Sequence, residues 1–204
     1  MRLFVFLGVA LVLAGCAAPS QDNRSAYERV REMLLGLEAY GAEASVEYIS
    51  NRGSNVYETL QIATADGRYR VEVVGPESVA GNITVFDGQT ITQLNPRISG
   101  RVVVGVRENP ERSEIFLTSF IRNYMASQES AVSVGSFGQS NLTVLEAIVP
   151  GDHPYMASSR LWVDNDSMAP TRMVIYDQEG AERVIITYRS FDPNPSIDSG
   201  TFAP

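Results

Sequence analysis

The feature that most narrows the possible folds is a change of period. From residue 44 onward apolar and polar residues alternate in ten short stretches, each closed by turn residues. Alternation by two puts successive side chains on opposite faces of a strand, and the turns are too short for parallel crossovers. The stretches are 44–51, 56–65, 68–74, 82–86, 90–95, 101–107, 142–149, 159–164, 171–176 and 183–189. Asp66-Gly67 and Asp87-Gly88 are hairpin signals, because tight two-residue turns need positive φ. Val56, Glu58, Leu60 and Ile62 share one face, as do Tyr69, Val71 and Val73, which predicts a sheet with a buried and a wetter side. Two helices frame it. Ser25-Ala-Tyr-Glu28 is a capping box, followed by Tyr27, Val30, Leu34 and Leu37 at helical spacing, with Gly41 suited to the stop. Asn109-Pro110 suits the start of the second helix, whose apolar stripe is Ile115, Phe116, Phe120, Ile121 and Tyr124. The expected fold class is α+β, mainly β: one curled antiparallel sheet with the helices in its concavity.

The N-terminus is a separate matter. Arg2 precedes an uncharged apolar run from Leu3 to Ala14, which suits a secretory leader and is shorter than the roughly 20 residues that span a bilayer. The run closes on Leu13-Ala14-Gly15-Cys16, which resembles the bacterial lipobox, and Cys16 is the chain's single cysteine. The resemblance implies cleavage before Cys16 and a covalent diacylglycerol and N-acyl lipid on it, with no other cofactor. Residues 1–15 are then a lipoprotein signal peptide, 16–24 the lipidated cysteine and tether, and 25–204 a single domain. Loss of Arg2 takes the formal charge from −8 to −9. Such a domain repels nucleic acid and anionic head groups, so the membrane is reached through the lipid anchor.

Three local patterns, in order, carry a wider resemblance. They are the hairpin Thr84-Val-Phe-Asp-Gly through Asn95-Pro96, the hairpin from Leu161-Trp-Val-Asp through Asp177-Gln-Glu-Gly180, and the tail Tyr188-x-x-Phe191, Asn194-x-x-Ile197, Phe202. Together they resemble the lipoprotein-carrier superfamily that includes LolA, LolB and RseB. With a lipid anchor, the late hairpin is closest to the Gram-positive branch that includes the germination lipoprotein GerS. The resemblance implies an eleven-stranded half-barrel whose helices lid an apolar cavity. In LolA-type members the cavity carries lipoprotein acyl chains. In the GerS branch the fold binds a protein partner, an amidase of spore cortex.

Two readings of function follow, with a third behind them. The first is a membrane-anchored extracytoplasmic lipoprotein that binds lipid or lipoprotein acyl chains. Its cavity would be lined by Ile115, Phe116, Phe120 and Tyr124 of the second helix and by Leu161, Val163, Met173 and Ile175 of the sheet. The second is a protein-interaction module, a tethered partner or activator working through an exposed strand edge or a dimer; the third is an RseB-type envelope sensor. Catalysis is not expected. The single histidine, His153, has no second histidine or thiol to complete a metal site or dyad. Ser158-Ser159 lacks nucleophile-elbow glycines, and Asp164-Asn-Asp166 lacks the glycine and distal acid of a calcium loop.

Overall fold

The computed structural model describes residues 24–98, 100–105, 111–127, 131–137 and 140–203. The leader, Cys16, the tether up to residue 23 and the Asn109-Pro110 pair lie outside the described residues. Helix α1 (Ala26–Leu35) starts on the expected capping box: Ser25 Oγ accepts from Glu28 N at 3.2 Å, and the Glu28 carboxylate accepts from Ser25 N at 2.7 Å. It stops at Gly36, five residues before the expected Gly41. The cause is distant in sequence. Asn194 Nδ2 donates to Gly36 O at 3.0 Å while its Oδ1 accepts from Glu38 N and Ala39 N, so the chain is turned into a strand at once.

The strands are β1 (Ala39–Ser50), β2 (Gly53–Thr64), β3 (Tyr69–Gly75), β4 (Ile83–Phe86), β5 (Thr90–Asn95), β6 (Gly100–Gly105), β7 (Ala131–Phe137), β8 (Ser140–Ile148), β9 (Ser158–Asp164), β10 (Pro170–Tyr176) and β11 (Glu182–Pro193). They form one antiparallel sheet in the order β6-β5-β4-β3-β2-β1-β11-β10-β9-β8-β7. A 3-10 turn (Glu111–Ile115) and helix α2 (Leu117–Ala126) link β6 to β7, the two opposite edges. The half-barrel is therefore left open, with its helices inside the curve.

Two elements differ from expectation. Strand β7 was not anticipated, because Ser133, Gly135 and Ser136 dilute its alternation to the look of a loop. The second helix begins at Leu117, after the 3-10 turn. The face of β2 is also reversed. Register with β1 sets Tyr40 opposite Ala63, Ala42 opposite Gln61 and Ala44 opposite Thr59, so the buried row is Thr59, Gln61 and Ala63. The row of Val56, Glu58, Leu60 and Ile62 faces outward, leaving Val56 45% and Leu60 41% exposed. A polar pair was chosen for the inside because its hydrogen bonds are met there: Thr59 Oγ1 donates to Ala44 O at 2.9 Å, and Gln61 Nε2 donates to Thr59 Oγ1 at 3.2 Å.

The convex face is kept wet by charge. Arg160 meets Glu146, Arg172 meets Glu182 and Arg189 meets Glu58, at 2.9, 3.2 and 2.7 Å. Such exposed pairs add little individually, but Arg160 lies over the Tyr176 ring and Arg172 over Trp162, on the face where Val174, opposite Arg160 in the register, is fully buried. The C-terminal tail folds back on the same side, with Pro195 against Gly41 and Phe202 under the Arg68 guanidinium.

The two hairpin glycines adopt the left-handed conformation, Gly67 at φ +94° and Gly88 at φ +99°. Nothing lies within 4 Å of a Cβ built on Gly67, so any penalty there is backbone strain alone. Gly67→Val and Gly88→Val should each cost about 1–3 kcal/mol, read as a lower urea midpoint at unchanged slope. No loss at either site would mean the turns tolerate another geometry.

Candidate binding face

The concave face is built from rows that the register aligns. From β1 come Tyr40, Ala42, Ala44 and Val46; from β3 Tyr69, Val71 and Val73; from β8 to β11 Leu145, Leu161, Met173, Ile175 and Ile186. Helix α2 lies across this surface. Its N-cap is Phe116, which has no side chain able to meet the orphan amides of a first turn. The cap is supplied by the sheet: Leu117 N donates to Tyr40 Oη at 3.2 Å, and the Tyr40 hydroxyl donates onward to Gln61 Oε1 at 3.1 Å. A chain of hydrogen bonds thus runs from the Ala44 carbonyl through Thr59, Gln61 and Tyr40 to the helix.

Once docked, α2 fills the middle of the curve. Leu117 and Phe120 are fully buried, the Phe116 ring stacks on Tyr69 at 4.4 Å, and Tyr124 stacks on Phe120 and meets the Tyr27 hydroxyl of α1. The eight residues expected to line a cavity are brought together, since Ile115 packs against one cluster containing Phe116, Phe120, Tyr124, Leu161, Val163, Met173 and Ile175. Six of them, all but Ile115 and Phe116, lie in closed packing and line no open space in the described cavities.

Open space remains toward one end of the sheet. A cavity of about 400 Å³ is bounded by Ile115 and Phe116 on one side and by the concave rows of β1 to β4 on the other. Its walls include Val46, Tyr48, Tyr57, Tyr69, Val71, Val73, Met156 and Val184, with Asn55, Thr59 and Thr84 as polar members. Tyr69, Val71 and Val73 were legible as one face in sequence. Tyr57 and Thr59 were not, because the alternation of β2 pointed to the opposite row. Met156, in the loop before β9, carried no periodic signal. A wider crevice of about 480 Å³ at the end of α1 carries Arg24, Arg29, Glu32 and Asp166, whose charges balance.

Two of the groups set aside on chemical grounds make local hydrogen bonds within their own loops. His153 Nδ1 accepts from Tyr155 N in its loop. Asp164 accepts from Asp166 N, Ser167 N and Ser167 Oγ, which holds its carboxyl below the usual range. Asn165 is buried and bonds to Thr143 and Asn141, tying that turn to β8.

Burial pushes the Tyr40 phenol up from its ordinary value, against the opposing pull of the Leu117 amide, and burial does the same to Tyr188, reinforced by Tyr40 nearby. Both stay neutral in the fold at a pH where the unfolded chain ionises. Their contribution to stability is therefore complete below about pH 10 and declines as pH rises above it. Tyr40→Phe should cost about 1–2 kcal/mol by stranding the Leu117 amide and Gln61. Denaturation series at neutral pH and above pH 10 check both points: the variant should be weaker at neutral pH and lose less on alkalinisation. An unchanged midpoint would remove Tyr40 as the cap.

The fold has solved relatives. An uncharacterized conserved protein from Thermus thermophilus is 12% identical, with a TM-score of 0.55 over 88% of this chain and 94% of that one. A chain in the structure of the CwlD amidase from Clostridioides difficile in complex with the GerS lipoprotein is 26% identical, with a TM-score of 0.52 over 84% of this chain and 98% of that one. A LolA superfamily protein from Nitrosomonas europaea matches more loosely, at 12% identity and a TM-score of 0.46 over 88% and 96%. The open eleven-stranded antiparallel half-barrel expected from the three local patterns is the architecture observed. No curated protein matches the sequence. The model of the family described as sporulation protein YdcC-like spans residues 1–202, and the chain belongs to that family.

Proposed function

We propose that this chain is an envelope lipoprotein that works as a tethered protein-interaction module, binding an amidase-type enzyme without catalysing a reaction itself. The observation that carries this reading is the filled centre of the half-barrel. Phe120, Leu117 and Tyr124 occupy the volume that an acyl chain would need, with Phe120 and Leu117 fully buried. The GerS-containing structure supports it, because that similar structure holds an amidase and a lipoprotein together. Membership of a sporulation family agrees. Co-purification of the full chain from detergent-solubilised membranes of its sporulating host should enrich an amidase, identified by mass spectrometry. Recovery of the chain with bound lipid and no amidase would overturn the proposal.

The lipid reading is kept by one observation, the 400 Å³ cavity beside Phe116, whose size is at the low end for small-molecule sites. A fluorescent fatty-acid probe separates the two. Under the interaction reading the wild type binds no probe, and Phe120→Ala costs about 3–5 kcal/mol through the void it leaves. Under the lipid reading the wild type binds, and Val71→Trp, which fills the cavity, abolishes binding while the fold survives.

The anchor is tested by itself. Cys16→Ser should move the protein from the membrane fraction to the soluble one; where the uncleaved leader holds that variant on the membrane, residues 22–204 alone should be released without detergent. A truncated form that still required detergent would rule the lipid anchor out.

A further inference from the structure

We propose that the crevice beside α1 is a headgroup site, in which Arg29 takes the phosphate and Asp166 the ammonium of a zwitterionic phospholipid such as phosphatidylethanolamine. The crevice measures about 480 Å³, within the range of small-molecule sites, and lies between α1, the β9–β10 turn and the end of β11. Two of its charges satisfy each other, because Arg24 pairs with Glu32. Arg29 and Asp166 line the same crevice and enter no ion pair with any described residue. The Arg29 Nε–H is moreover shut off from water without an acceptor. An unmet buried donor costs free energy, so an anion that reaches this guanidinium is favoured. One open cation and one open anion in a single crevice fit a ligand that carries both charges.

The walls are set before any ligand arrives. Asp164 Oδ1 accepts from Asp166 N at 3.2 Å and from Ser167 N at 2.8 Å, which fixes the turn that carries Asp166. Asn194 joins the Gly36 carbonyl to the amides of Glu38 and Ala39, which fixes the end of α1. A preformed site loses little freedom on binding, so two charge-assisted contacts can hold a small group. Met33, Leu37 and Met168 complete the lining and suit the glycerol and first methylenes of a lipid. Leu35, next to the lining residue Gly36, is 48% exposed.

Position and charge select the occupant. Arg24 on the rim is eight residues from Cys16, so the crevice stays within about 25–30 Å of the anchoring cysteine. The net negative charge of the domain repels anionic head groups, and Asp166 opposes them again inside the crevice. A zwitterionic headgroup meets both open charges without that repulsion. The inference rests on the anchor half of the proposed function and is independent of the amidase.

The full chain in nonionic detergent is titrated with dihexanoyl phosphatidylethanolamine and with dihexanoyl phosphatidylglycerol, which has the same chains and phosphate but no ammonium. The first should bind about tenfold more tightly. Arg29→Gln should abolish binding of both, whereas Asp166→Asn should erase the preference without weakening the second. Both variants should keep the wild-type urea midpoint, because neither side chain is bonded within the fold. A wild type that binds neither lipid, equal binding of the two, or a preference that survives Asp166→Asn would each overturn the proposal. So would tighter binding of free phosphoethanolamine or of a short zwitterionic peptide, or a lowered midpoint in either variant. The titration does not depend on Cys16, so a negative result removes the site alone, and a failed Cys16→Ser test removes the anchor alone.

Discussion

The rest of the structure depends on how one short helix is held inside an open sheet. Helix α2 has ten residues, too few to be stable alone, and its N-cap residue offers no oxygen to its first turn. The Tyr40 hydroxyl meets that need from the sheet, accepting from the Leu117 amide while donating to Gln61. The same contact fixes the height at which Phe116, Phe120 and Tyr124 enter the core. A helix cap made by tertiary structure couples the two: without the sheet there is no cap, and without the helix the buried Tyr40–Gln61–Thr59 chain lacks its last partner.

That coupling explains the division of the concave face. Where α2 lies against β8 the packing is closed, and Leu145, Leu161, Val163, Met173 and Ile175 of β8 to β10 are fully buried. The helix is too short to reach across the whole curve. Beyond Phe116 and Ile115 no described helix covers the far ends of β1 to β4, where the 400 Å³ cavity lies. A carrier of long acyl chains needs the centre of the curve; a binding module can fill it and gain stability. The convex side is solved differently, by arginines set over rings on the face of Val174 and by the returning tail.

Much of this was legible locally because its causes are local. The capping box of α1 lies within four residues, and the hairpin turns follow from Asp-Gly pairs that tolerate positive φ. The β9–β10 and β10–β11 hairpins follow from alternation closed by polar turns. What could not be read had remote causes. Helix α1 stops early because Asn194 reaches it from 158 positions away. Strand β7 forms because β8 offers it an edge, against a composition of serine and glycine.

The sequence by itself determined the periods, the turns and the residue types available for a core, and its motifs pointed to a lipid-anchored leader and a LolA-like domain. Only the tertiary structure decided which face of β2 is inside. A one-residue choice of register inverts every side chain of a strand, and the pattern of β2 offered apolar residues on both rows. Pairing with the deeply buried row of β1 settled it in favour of Thr59, Gln61 and Ala63, because their polar atoms find partners there. Tertiary structure likewise decided that Phe120 and Tyr124 plug the half-barrel. Apolar side chains line a void or fill it according to the distance between helix and sheet, and here the helix is held close by the packing of Phe116, Leu117 and Phe120 together with the hydrogen bond from Leu117 N to the Tyr40 hydroxyl.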